Sequence, residues 1–197
     1  MILALAVIVG IGASLARHRR EAPAWIASIQ LRSAWLALLA LALQWPLLRA
    51  PAGPTQDVAV QRVLFLLSHL LLLAFVWRNR RLPGVVVAGL GIAINLIVII
   101  ANGGFMPISP ETLAWLSPGI DPHLLPIGSH LGNSKDIILT PGQTRLWALS
   151  DVLALPPPFP WPAAFSLGDL VIAAGIVLLL QGSNPASASS LANAEAR

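Results

Sequence analysis

The sequence predicts an all-α integral membrane protein: a bundle of five transmembrane helices carrying an extracytoplasmic lid of short amphipathic helices and a proline-rich loop. Three observations lead there. Of 197 residues, 56% are hydrophobic and only 10% are charged, against roughly 25% charged in an average soluble domain. Five apolar runs approach the roughly 20 residues that carry a helix across a bilayer. The arginines gather in short clusters at the ends of those runs, where basic residues report topology.

Met1 to Ala16 is apolar with no basic residue ahead of it, and Arg17, His18, Arg19 and Arg20 follow. A secretory signal carries its charge in front, so residues 1–16 read as a retained first span with the N-terminus outside. Ala22 to Leu31 places Trp25, Ile26 and Ile29 at helical spacing. That suits a turn or two in the headgroup layer, or the opening of the second span with Arg32 snorkelling. The second span covers 33–48, with Trp45 and Pro46 at the opposite interface, and a Pro/Gly loop follows to Asp57. The third span, 58–77, stops at Arg78, Asn79, Arg80 and Arg81. The fourth, 82–101, carries Gly84, Gly89 and Gly91 among Val and Ile; small residues let helix backbones approach, so this span is expected to pack centrally. A fifth span occupies 166–181, and the Ser/Ala/Asn-rich tail 182–197 is expected to be flexible and cytoplasmic.

With the N-terminus outside, Arg17, Arg19, Arg20, Arg32, Arg78, Arg80, Arg81 and Arg197 fall inside, and Arg49, Arg62, Lys135 and Arg145 outside. The excess of basic residues on one side orients the protein as a multi-pass plasma (inner) membrane protein with its C-terminus in the cytoplasm. The long connection 102–165 is then extracytoplasmic, and with the start of the last span it holds Glu111, Asp121, Asp136, Asp151 and Asp169, most of the acidic residues.

Within the connection, Asn102-Gly-Gly-Phe-Met-Pro107 reads as a helix C-cap followed by a proline stop. Ser109, Pro110 and Glu111 open a short helix with Leu113 and Trp115. Thr140, Pro141 and Gln143 form a capping box ahead of a second helix with Leu146, Trp147 and Leu149. Leu155 to Pro162, dominated by proline, is expected to be a stiff extended spacer. Ser166-Leu-Gly-Asp169 is another capping box, which leaves Asp169 either closing a helix start or acting chemically.

The absence of cysteine excludes disulfides, thiolate metal sites and thiol nucleophiles. The net charge of +4 lies in end-of-span clusters, which argues for lipid as the partner and against nucleic acid. No phosphate loop or nucleophile elbow occurs, and no cofactor is implied. His123 and His130 share the connection with Asp121, Asp136 and Asp151, but their spacing matches no zinc motif, so no metal is expected. His69 and Asn95 lie within the third and fourth spans, where polar residues face the bundle interior, and are expected to pair. With Asn102 and His130 they are the candidate ligand-binding residues.

Three fragments resemble the outer end of signal peptidase II, a membrane aspartate protease: Gly132-Asn133-Ser134-Lys135-Asp136, Asp151-Val152, and Phe165-Ser166-Leu167-Gly168-Asp169. The resemblance implies Asp136 and Asp169 as a catalytic dyad, with Asp151 beside them. Ser166 stands where that family has asparagine. Over a longer stretch, Asn-Gly-Gly-x-Met-Pro (102–107), Leu-x-Asp (149–151) and Ser-x-Gly-Asp (166–169) resemble a family of small bacterial polytopic membrane proteins of unknown function. That likeness implies fold and topology, and supplies no activity. Two functions are thus expected: a non-catalytic scaffold or accessory subunit whose lid binds a membrane protein partner or small ligand, or an aspartate-type hydrolase.

Overall fold

The computed structural model describes residues 2–18, 22–49, 58–131 and 134–181. Arg19, Arg20, Glu21, the loop 50–57, Gly132, Asn133 and the tail 182–197 lie outside them. The protein is mostly helical, with two small sheets. Its apolar helices are α1 (Ile2–His18), α3 (Trp35–Arg49), α4 (Val58–Arg78), α5 (Pro83–Ala101) and α7 (Leu167–Gln181); α2 (Ala22–Ser28) and α6 (Pro110–Leu116) are short. By length and composition α4 and α5 can each cross a membrane. Their 21 and 19 residues reach about 32 and 29 Å, close to the hydrocarbon thickness of a bilayer. The 15 residues of α7 reach about 22 Å.

The apolar helices pack in the order α3, α4, α5, α7, α1, which puts α5 at the centre. Glycine makes that possible. A side chain at Gly84 or Gly91 would collide with the backbone of α7, and one at Gly175 or Gly168 with α5, so the two helices meet backbone to backbone in antiparallel order. On its other flank α5 accepts Val76 of α4 against Gly89. Polar side chains tie the outer members: Gln44 Nε2 donates to Ser68 Oγ at 2.8 Å between α3 and α4, and Gln181 Nε2 donates to the Gly10 carbonyl at 3.1 Å between α7 and α1. The outward faces are apolar, with Leu38, Leu70, Leu90 and Ile97 more than half exposed.

Between α5 and α7 the chain builds a small layer of its own. Asn102 is the C-cap of α5, and Gly103 and Gly104 have φ of 81° and 100°, a turn that glycine makes without strain. Strand β1 (Met106–Ile108) pairs in parallel with β2 (Asp136–Ile138), and on its other edge Ile108 bridges Asp151. Helix α6 starts at Pro110 with Ser109 as N-cap, its hydroxyl accepting from the Thr112 N–H. Phe105 and Met106 pack with Phe65, Val98 and Ile99 at the ends of α4 and α5, and Ile108, Leu113 and Ile138 form a second core above them.

Two local expectations fail. Thr140 to Leu149 is not a helix. The Thr140 and Gln143 side chains do meet, at 3.0 Å, but Leu146 sits in the left-handed region at φ 57°, and only a 3-10 turn, Trp147–Leu149, follows. The residues 141–149, with a glycine in the first turn, are too few to hold a helix without packing support. The Pro-rich stretch is not a straight spacer either. It reverses between β3 (Leu153–Leu155) and β4 (Ala163–Phe165), which pair antiparallel, with a turn bond from the Phe159 N–H to the Pro156 carbonyl. The sheets were not expected at all, since strands of three residues carry too little alternation to be seen.

Candidate functional site

The polar centre of the molecule forms where β2, the segment after the 3-10 turn and the start of α7 converge on the ends of α4 and α5. β1 lies between the segments that carry the two principal charges. Asp136 opens β2 on one edge, and Asp151, whose N–H donates to the Pro107 carbonyl, lies on the other. Lys135 reaches across: its Nζ donates to Asp151 Oδ2 at 2.5 Å and lies 3.3 Å from Asp136 Oδ1. Ser134 Oγ donates to Asp136 Oδ2. Asp136 and Asp151 are 8% and 1% exposed, whereas the Lys135 side chain keeps about a third of its surface open.

Burial alone would lower the Lys135 pKa. The carboxylates of Asp136, Asp151 and Asp169 outweigh it and hold the ammonium well above its ordinary value. Burial pushes the Asp151 carboxyl up to about 7; Lys135 opposes that shift and Asp136 adds to it. Two oxygens, Asp136 Oδ1 and Asp151 Oδ1, are buried with no hydrogen-bond partner. A buried carboxylate oxygen left so is costly unless a donor meets it.

Asp169 lies in the electrostatic neighbourhood of Lys135 and Asp151, yet its own oxygens are engaged. Oδ2 accepts the Ser166 N–H at 3.1 Å, Ser166 Oγ accepts the Asp169 N–H at 3.0 Å, and Oδ1 accepts from Asn95 Nδ2 at 2.9 Å. This is the capping box read from the sequence, extended by one helix: Ser166 Oγ also donates to Asn95 Oδ1 at 2.8 Å. Among the described residues no hydrogen bond or ion pair joins Asp169 to Asp136 or Asp151.

The expected pairing of His69 with Asn95 does not form. His69 Nδ1 lies 2.9 Å from the Phe65 carbonyl one turn back, with its ring edge-on to Phe65 at 4.7 Å. Asn95 instead faces α7. His130 packs against Phe105 with the rings tilted by 56° and their centroids 4.5 Å apart, and burial lowers its pKa against the pull of Asp136. His123 is exposed, its backbone N–H capped by Asp121, and among the described residues no three acidic or histidine groups converge to hold a metal. Asn102 proves to be a clamp: Nδ2 donates to the Arg145 carbonyl and Oδ1 accepts the Arg145 N–H, both at 2.9 Å.

Lys135 is the residue that sequence reasoning undervalued. Its signal was a lone lysine flanked by Ser134 and Asp136 in the otherwise acidic connection. Above the charges, Ser109, Glu111, Trp115, Pro141, Trp147 and Val152 border a cleft of about 190 Å³, with Trp115 61% and Trp147 46% exposed. Comparison with curated proteins and with solved structures returned no match. The model of a family of unknown function, DUF5317, matches residues 28–181, which takes in the charge cluster, the clamp and the cleft, and the chain belongs to that family.

Proposed function

We propose that this protein is a five-span membrane accessory subunit whose extracytoplasmic lid, residues 102–165, binds a partner or small ligand in the cleft between α6 and the 3-10 turn. The observation that carries the reading is the pair of open tryptophans, Trp115 and Trp147, on a frame that is otherwise locked. Two aromatic faces beside Glu111 suit an apolar group bearing a positive charge. The lipid-facing surface is the exposed apolar side of the helix row. The N-terminal end of α1 packs near Leu155, Phe159 and Trp161, so the N-terminus and the lid share one end of the bundle. The arginine clusters at the other end support a cytoplasmic placement for it.

Because the chain has no cysteine, topology is directly testable. A cysteine replacing Ala148 reacts with an impermeant maleimide in intact cells, and one replacing Arg81 reacts only after permeabilisation; the reverse pattern sinks the orientation. For function, a photo-crosslinking residue at position 115 or 147 gives a discrete adduct in living cells that Glu111→Arg abolishes. No adduct, or the same lipid smear as at Trp77, overturns the reading.

A second reading rests on two buried carboxylate oxygens without a hydrogen bond, Asp151 Oδ1 and Asp136 Oδ1, the latter 3.3 Å from the Lys135 ammonium. An aspartate-type membrane hydrolase needs one protonated and one ionised carboxyl around a water. Asp136 and Asp151 are better candidates than Asp136 and Asp169, since Lys135 reaches both of their side chains and both Asp169 oxygens accept other hydrogen bonds. Incubation of the purified protein with lipid-anchored peptides decides it: cleavage that survives Asp136→Asn excludes this chemistry.

A further inference from the structure

We propose that the arginine end of the bundle is a built binding site for a phosphate group, of the kind carried by an anionic lipid headgroup. The turn between α4 and α5 and the segment leading into α3 enclose a cavity of about 400 Å³ bordered by Arg32, Arg78, Arg80 and Arg81. Among the described residues no carboxylate pairs with any of the four. Four like charges around one concavity repel, and an anion relieves that repulsion. Guanidinium groups bind phosphate oxygens in pairs with defined geometry.

The walls are fixed rather than incidental. Asn79 is 4% exposed, and its side chain holds the Arg32 backbone from both sides: Oδ1 accepts the Arg32 N–H at 2.7 Å and Nδ2 donates to the Arg32 carbonyl at 2.8 Å. Nδ2 also donates to the Phe75 carbonyl, which ties the clamp to α4. Arg80 lies over the Trp77 ring at 4.1 Å, a stack that orients its guanidinium before any ligand arrives. The N-terminus of the 19-residue α5 faces the same cavity through Leu82, its N-cap, and no side chain caps it. Its backbone dipole adds positive potential. Trp77 and Leu82 give the cavity an apolar rim, and an interfacial tryptophan is placed at headgroup depth. A phosphate attached to acyl chains matches both parts of the site; basic pockets between spans take such headgroups.

The test uses the whole protein in neutral detergent. Thermal unfolding is followed while phosphatidylglycerol is titrated in one arm and inorganic phosphate in another, with phosphatidylcholine and matched chloride as controls. The site predicts saturable stabilisation by phosphatidylglycerol. Arg80→Gln with Arg81→Gln raises the half-saturating concentration by at least about tenfold, as loss of two charge-assisted contacts requires. The pair Arg32→Gln with Arg78→Gln does the same, and Arg145→Gln at the far end leaves it unchanged. Saturation by inorganic phosphate alone, with the same variant pattern, assigns the site to a free phosphate. Stabilisation by neither, or stabilisation that both double variants retain, overturns it.

Discussion

The two ends of the α4–α5 hairpin are tied in the same way and charged in opposite ways. At one end Asn79 clamps the backbone of Arg32, and at the other Asn102 clamps that of Arg145. Each asparagine sits at or just beyond a helix end, its amide donating one bond back to its own helix and one across. The difference lies in what happens to charge. At the Asn102 end Asp136 and Asp151 are buried and Asp169 is half-buried, and all three are met by Lys135, Ser134 or Asn95 from the chain itself. At the Asn79 end four arginines stand around an open cavity. Charges answered internally build structure, and charges left open recruit something else.

The largest test of that contrast is Lys135→Met. It strands two buried carboxylates and is expected to cost about 3–5 kcal/mol, measured by thermal unfolding in detergent, because removing one partner of a buried ion pair leaves the other uncompensated. Lys135→Met combined with Asp151→Asn recovers much of the loss; equal loss in single and double variants breaks the account.

Titration of Asp151 comes next. Its folded pKa, about 7, lies above the unfolded value near 3.9, so the folded state binds the extra proton. Stability from this group is present at low pH and falls as pH rises from about 4 through about 7. Lys135, raised in the fold, keeps its contribution throughout that window. Asp151→Asn flattens the profile, and a slope of the same size in the variant assigns the titration elsewhere.

Smaller effects follow from the clamps. Asn102→Ala and Asn79→Ala each remove bonds to backbone groups and cost about 1–3 kcal/mol. They should differ in place: Asn102→Ala opens residues 141–149 to protease, and Asn79→Ala opens 28–34 and leaves 141–149 protected. Smallest is Arg80→Gln, expected within about 1 kcal/mol of wild type without anionic lipid, since it breaks only the stack on Trp77. A large loss there means that the arginines hold the fold together.

The helices were legible because hydropathy and end charges are local signals. α3, α4, α5 and α7 begin and end within two residues of the spans read from sequence, and Ser109 and Asp169 cap where their motifs said. The failures were tertiary. Asn95 meets Asp169 and Ser166 rather than His69 because Gly91 and Gly168 bring α7 against that face of α5. Lys135 became central only once β1 had drawn two segments to its edges, a pairing between residues far apart that no window of sequence contains. Thr140 to Leu149 shows that a capping motif makes a helix only when the following residues have something to pack on.

The glycine seam has a mechanical consequence. Where main chain touches main chain, no pliable layer of side chains is left to shear, so α5 and α7 form one stiff stave. A tug on the first turn of α7 is then passed through Asn95 into α5, close to the same end at which Asn102 holds the loop at Arg145. The start of α7 and the loop at Arg145 therefore bear on one end of a single rigid pair.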